Sequence, residues 1–246
     1  MNHNDLRILL HSNVGLIVVE TYDESRALTL LREAFQRERL PVWSWSCSEG
    51  IKSLGAGLSI APRQEQQSCK ELKEALEYIK NQRSANAFIL CDAHPFLDEP
   101  VLIRLLKDIA LSKTPESQKV ILLSHRLKLP PELSRYAASL SMSLPSEEEI
   151  LALIREEAKQ WSRSQGGGRI RTDQQSLQKL VNNLKGLPHQ DVRRLARGAI
   201  ADDGAISESD LPEVTKAKFA LMDMDGILHF EYSTAHLKDV AGLERL

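Results

Sequence analysis

Short, unbroken apolar runs alternate along this chain with longer stretches in which apolar residues recur every three or four positions. Leu16-Ile17-Val18-Val19-Glu20, Ala87-Phe88-Ile89-Leu90-Cys91-Asp92 and Lys119-Val120-Ile121-Leu122-Leu123-Ser124 each end in a polar residue. Runs of this length without a polar face predict strands buried on both sides. Pro41-Val42-Trp43-Ser44-Trp45-Ser46 predicts a further strand, with both tryptophans on one side beneath a helix, and Ala138 to Leu144 a last short one. Between them, Ser25 to Glu38 carries Ala27, Leu28, Leu31 and Phe35 at helical spacing, with Asp23 or Ser25 as its cap. Ser68 to Gln82 repeats the pattern through Leu72, Ala75, Leu76 and Ile79. Asp98-Glu99-Pro100 opens a helix running to Leu111, with proline in its first turn and acids that complement the helix dipole. Alternating strands and helices predict an α/β domain built on a largely parallel sheet with helices on both faces. The stretch from Ser48 to Arg63, rich in glycine and proline, reads as a connector.

The pattern changes at Pro145. Ser146-Glu147-Glu148-Glu149 is a helix-start signature, and no further strand is expected for many residues. The first helix should run to about Arg163 and end at Gln165-Gly166-Gly167-Gly168. A second spans Thr172 to Lys185 and stops at Gly186; a third opens at Pro188 and carries Val192, Leu195, Ala196 and Ile200; Ser207 to Met222 supplies a fourth. The expected organisation is an α/β domain over residues 1–144, a small helical lid over 145–203, and a helix with a linker over 204–246.

Polar residues at the ends of buried parallel strands are where open α/β sheets gather their ligands. Asp92 and Ser124 hold those places, which in AAA-type ATPases belong to a metal-orienting acid and a sensor. The chain nevertheless contains no GxxxxGK[ST] to supply backbone amides and a lysine to a triphosphate. The residue after Asp92 is Ala93, where working ATPases place a second acid. Asp92 therefore reads either as a turn-capping acid or as the remnant of a nucleotide or metal role, and His94 as a turn histidine. Ser124-His125-Arg126 pairs a hydroxyl with a cation, but with no Gly-x-Ser-x-Gly elbow no nucleophilic triad is expected. Arg193, Arg194 and Arg197 lie near a helix start, either as a solvated basic face or as groups reaching a neighbouring subunit's phosphate. No catalytic residue and no metal set is expected in this chain.

With 246 residues, 42% hydrophobic and 27% charged, the chain can bury a substantial core. Its net charge of −2 argues against a global attraction to nucleic acid or anionic lipid. Cys47, Cys69 and Cys91 form no CxxC, so neither a disulfide framework nor a cysteine zinc site is expected. No window approaches the roughly 18 apolar residues of a membrane span, and Met1-Asn2-His3-Asn4-Asp5 does not open a signal peptide. A cytoplasmic location is the expectation.

Leu16-Ile17-Val18-Val19-Glu20-Thr21, Trp43-Ser44-Trp45, the run from Phe88 to Leu97, Pro130-Pro131-Glu132-Leu133 and Leu184-Lys185-Gly186-Leu187 occur here in one order. In that order they resemble the N-terminal half of the AAA ATPase family called hypothetical chloroplast open reading frame forty-six. His236-Leu237-Lys238-Asp239-Val240-Ala241-Gly242-Leu243 resembles the Asp-[Val/Ile]-Gly-Gly-Leu that leads into an AAA motor, with Ala241 where glycine is commoner. The resemblance implies a degenerate AAA-like domain and lid preceding a C-terminal domain that binds and hydrolyses ATP with magnesium. It also implies that Asp239, Val240, Ala241 and Gly242 would lie on the adenine side of that domain, and that Arg126, Arg193 and Arg194 are candidates for action in trans. The chain itself is expected to bind no cofactor, and to act in regulation, recognition or oligomerisation with protein partners or its own copies. A clamp-loader-like subunit handling nucleic acid is the alternative.

Overall fold

The structure is a computed structural model that describes residues 7–9, 12, 14–55, 69–112, 118–167, 170–201 and 204–222. It divides into two compact units, Met1–Ser143 and Leu144–Leu246.

The first unit is organised by strands β1 (Leu16–Glu20), β2 (Val42–Ser46), β3 (Gly50–Ser53), β4 (Ala87–Cys91), β5 (Lys119–Ser124) and β6 (Ala137–Ser139). They form one sheet in the order β3-β2-β4-β5-β1-β6. Every neighbouring pair is parallel except β2 with β3. Residues of a strand alternate between faces, so the continuous apolar runs feed two cores at once. Leu16, Val18, Trp45, Phe88, Leu90, Val120 and Leu122 face one side. Helices α2 (Leu72–Lys80) and α3 (Pro100–Leu111) cover them with Leu72, Leu76, Ile79, Leu102, Leu106 and Ile109. Ile17, Val19, Ala87, Ile89, Ile121 and Leu123 face the other side, beneath Ala27, Leu31 and Phe35 of α1 (Glu24–Arg37). A short helix, α4 (Pro131–Ser134), places Leu133 in the first core before β6.

The connector expected from Ser48 is a strand at its start. Gly50–Ser53 turns back antiparallel on β2, pairing Trp45 with Ile51 and Trp43 with Ser53. Ile51 is buried in the core that holds Trp45. One buried apolar side chain in a tetrapeptide that opens on glycine leaves almost no periodicity to read. The last strand is shorter than the expected Ala138 to Leu144, because only Ala137, Ala138 and Ser139 find partners on β1. Trp43 is half-buried and stacks on Phe88, while Trp45 donates its indole N–H to the Cys69 carbonyl at 2.9 Å. Both indoles serve packing, as expected.

The second unit is helical. Its elements are α5 (Glu147–Ser164), α6 (Gln174–Leu184), α7 (His189–Ala201) and α8 (Leu211–Met222), with a two-residue parallel pair between β7 (Arg171–Thr172) and β8 (Ala205–Ile206). Ser146 and Glu149 form a reciprocal capping box at the start of α5, satisfying two N–H groups that the helix leaves unpaired. Asp173 caps α6, one residue beyond the expected Thr172. Its side chain accepts from both the N–H and the hydroxyl of Ser176, which holds its carboxyl below the usual range. Gly186, at φ +85°, follows the end of α6 in the left-handed conformation that favours glycine. The core of this unit joins Ile150, Ile154, Leu180, Leu184, Val192, Ala196 and Ile200. Val214 of α8 is buried in it, so the packed helical unit continues past Asp203.

Gly15, just before β1, has no room for a side chain. A Cβ there would lie 2.7 Å from Ala110 Cα at the end of α3, a backbone atom that cannot rotate away. Gly15→Ala is expected to destabilise the protein by about 1–3 kcal/mol through overpacking. Urea denaturation checks this as a lower midpoint with an unchanged slope.

Candidate functional site

The parallel register brings the carboxyl ends of β1, β5 and β4 level, pairing Glu20 with Ser124 and Cys91 with Leu123. Asp92 follows β4 and donates its backbone N–H to the Leu123 carbonyl at 2.9 Å. Thr21 in turn donates to the Ser124 carbonyl at 2.8 Å. The crevice outside the strand ends thus collects Tyr22 and Glu24 from the β1 side, Asp92 and His94 from β4, and Ser124 and His125 from β5.

Ser124 is buried and its hydroxyl sits between two partners. It donates to Asp92 Oδ1 at 3.1 Å and lies 2.8 Å from His94 Nδ1. With its one proton on the carboxylate, Oγ accepts from Nδ1–H, the tautomer that leaves the lone pair of His94 on Nε2. The His94 and His125 rings meet edge to face with centroids 5.0 Å apart, and the Tyr22 ring lies 5.6 Å from that of His125. Asp92 has φ +50°, a left-handed conformation that costs an ordinary side chain about 1–2 kcal/mol and that Asp tolerates better than most. His94 does occupy a turn, the single 3-10 turn His94–Phe96, but that turn also delivers its ring to Ser124. This is not a hydrolase triad. The hydroxyl is buried and already donating to the carboxylate, and both acid and serine approach the same imidazole nitrogen.

Where a phosphate loop would lie between β1 and its following helix, only Thr21, Tyr22 and Asp23 intervene. The N-terminus of α1 is an anion site by its dipole and free N–H groups. Asp23 fills it, accepting from Arg26 N at 3.3 Å while its own N–H bonds the Thr21 hydroxyl at 3.0 Å. Glu24 adds a second carboxylate in the first turn. Burial and then the charge of Asp92 push the Glu24 carboxyl above its ordinary range, a sign of negative charge already crowded into the crevice. The Cys91 thiol is pushed up to about 12, chiefly by burial and then by the charges of Glu24, Asp92 and Glu49, and stays a thiol at neutral pH. Glu20 turns its carboxylate away to accept from Leu127 N at 2.6 Å.

The remaining predicted residues do not join this site. Arg126 is exposed immediately after Ser124-His125. In the helical unit, Glu157 is 2% exposed and holds Arg193 at 3.1 Å and Arg197 at 2.8 Å, with Glu156 completing the clasp on Arg193. Arg193 and Arg197 are thus paired within their own unit, while their side chains remain 38% and 66% exposed. Arg194 pairs with Asp191 one turn back, at 3.5 Å. Asp239, Val240, Ala241 and Gly242 lie outside the described residues.

The mostly parallel sheet with helices on both faces, followed by a helical unit, is shared with solved AAA ATPase structures. A mutant of Thermotoga maritima RuvB matches with a TM-score of 0.51 and 9% identity over 87% of this chain and 65% of that one. The FIGL-1 AAA domain in complex with ADP matches with a TM-score of 0.50 and 14% identity over 85% and 73%. Residues 2–142 match the N-terminal domain of SpoVK-like AAA ATPases, and residues 148–225 match their second domain. The chain belongs to the SpoVK-like AAA ATPase family. It is 26% identical, over 98% of its length, to the uncharacterized AAA domain-containing proteins ycf46 of Pyropia yezoensis and Guillardia theta. It spans about half the length of these relatives, 47% and 46%. No helix among the described residues is long and apolar enough to cross a membrane.

Removing Glu157 leaves two arginines facing each other without their shared carboxylate. For a fully buried pair the loss is about 3–5 kcal/mol; because Arg193 and Arg197 keep contact with water, Glu157→Ala is expected to cost about 1–3 kcal/mol. The effect should appear in denaturant unfolding of the helical unit, followed at Trp161, and leave the emission of Trp45 in the sheet unchanged.

Proposed function

We propose that this chain is a nucleotide-independent recognition or oligomerisation region of an AAA family ATPase. Residues 1–144 form its degenerate AAA-like domain, 145–203 its lid, and 204–246 lead into a C-terminal AAA domain that binds ATP and magnesium. One observation carries the reading: the α1 N-terminus, where a phosphate would bind, is capped by the carboxylate of Asp23 and followed by Glu24. A like-charge contact at about 4 Å near a protein surface costs on the order of 4 kcal/mol. Two such contacts offset the roughly 8 kcal/mol of a micromolar affinity. A triphosphate meets Asp23, Glu24 and Asp92 here without a phosphate-loop lysine to neutralise it.

Freed from nucleotide, the sheet and its helices retain value as a rigid surface for a protein partner or a second copy. The function of the region is then to place or regulate the motor, in the cytoplasm, through protein contacts. Arg126, exposed at the strand ends, is the strongest candidate for a contact in trans; Arg194 keeps only a long intrahelical pair, and Arg193 is committed to Glu156 and Glu157. With a net charge of −2 and no GxxxxGK[ST] in the sequence, the nucleic-acid alternative receives no support.

Calorimetric titration of this chain with MgATP is expected to show no binding at micromolar concentration. Micromolar binding would overturn the reading. In the longer protein, Arg126→Ala should change ATP turnover or oligomer size; if both stay constant, the trans role of that arginine is wrong.

A further inference from the structure

We propose that Asp92, His94 and His125 form a binding site for a divalent first-row transition metal of the zinc type, independent of nucleotide. One ligand atom from each of the three residues lies within 4.8 Å of the other two. The donor set, two imidazoles and one carboxylate, is the chemistry that suits zinc, cobalt or nickel, whereas magnesium takes oxygen ligands and keeps its waters. A tetrahedral shell with bonds of about 2.1 Å separates its ligand atoms by roughly 3.4 Å. The Asp92 and His94 side chains are 58% and 30% exposed, which gives an ion a path from solvent.

Two features hold the set together before any ion arrives. The β4–β5 register places Asp92 beside Ser124 and His125, and the 3-10 turn after β4 brings His94 back over the same strand end. Ser124, buried beneath, contacts both Asp92 and His94. It is a positioning residue, of the kind that fixes tautomer and ring orientation behind metal ligands. Asp92 keeps a left-handed backbone at φ +50°, and unfavourable backbone conformations persist where a site needs them. Three protein ligands leave a fourth position for water or for a donor from a partner. The negative crevice that repels a triphosphate attracts a cation, so the two behaviours share one electrostatic cause but are measured separately.

The test uses this chain with zinc chloride alone and cobalt chloride alone, without nucleotide. Calorimetry with zinc is expected to give one site whose affinity falls at least 10-fold in His94→Ala and in His125→Ala, and about 10-fold in Ser124→Ala. Cobalt should give visible d–d bands with no thiolate charge-transfer band, unchanged in Cys47→Ser. Far-UV circular dichroism confirms that each variant is folded; His94→Gln and His125→Gln replace any alanine variant that is not. No zinc binding, binding that survives both histidine substitutions, or binding lost in Cys47→Ser would each overturn the proposal. Magnesium bound as tightly as zinc would do so too.

Discussion

The parallel register of β1, β5 and β4 is the constraint on which the rest of the first unit depends. Leu16 lies beside Val120, and Val120 beside Phe88, and the pairing continues step by step to the strand ends. A slip of one residue would exchange the two faces of a strand, turning Ile121 and Leu123 toward α3 and Val120 and Leu122 toward α1. Both cores would then be filled with the wrong shapes. The buried strand interiors offer no water to satisfy an unpaired N–H or C=O, so register and burial enforce one another. The same register sets Glu20, Asp92 and Ser124 at one level, and the polar crevice is a direct consequence of how the apolar runs align.

Electrostatics then decides what that crevice can hold. A helix N-terminus offers its free N–H groups to an anion; at α1 Asp23 accepts from Arg26 N, and only Thr21, Tyr22 and Asp23 separate β1 from the helix. Burial and then the charge of Asp92 raise the proton affinity of Glu24. The strand ends still gather polar side chains, and those they gather at this crevice include the carboxylates of Glu24 and Asp92. Carboxylates and imidazoles are donor groups whose chemistry suits a cation rather than an anion.

The helical unit follows a different logic. Helices α5 and α7 each bury one apolar stripe, and buried Glu157 holds Arg193 and Arg197 between them. An ion pair of this sort contributes orientation between α5 and α7 more than net stability, because desolvating the carboxylate consumes much of the Coulomb gain. Its presence also removes Arg193 and Arg197 from any list of freely available cations. Arginines that look alike in sequence therefore differ in what they can do: Arg126 projects from a strand end, and Arg193 is a structural strut.

Much of this architecture was legible from the chain alone, because its signals are local. Continuous apolar runs such as Ile17-Val18-Val19 need no partner to be recognised as doubly buried strands, and Ser146 with Glu149 announces a helix start from two residues three apart. The absence of a phosphate loop is likewise a property of residue order. Other features depend on residues far apart in the chain and could not be read. Ile51 became a strand residue only by pairing with Trp45. Glu157 found its arginines some forty positions later. Asp92, His94, Ser124 and His125 became one cluster only when the β4–β5 register closed a gap of about thirty residues, since side-chain chemistry at a site is set by distance in space. Sequence periodicity reports which face of an element is apolar, and packing alone determines what that face meets.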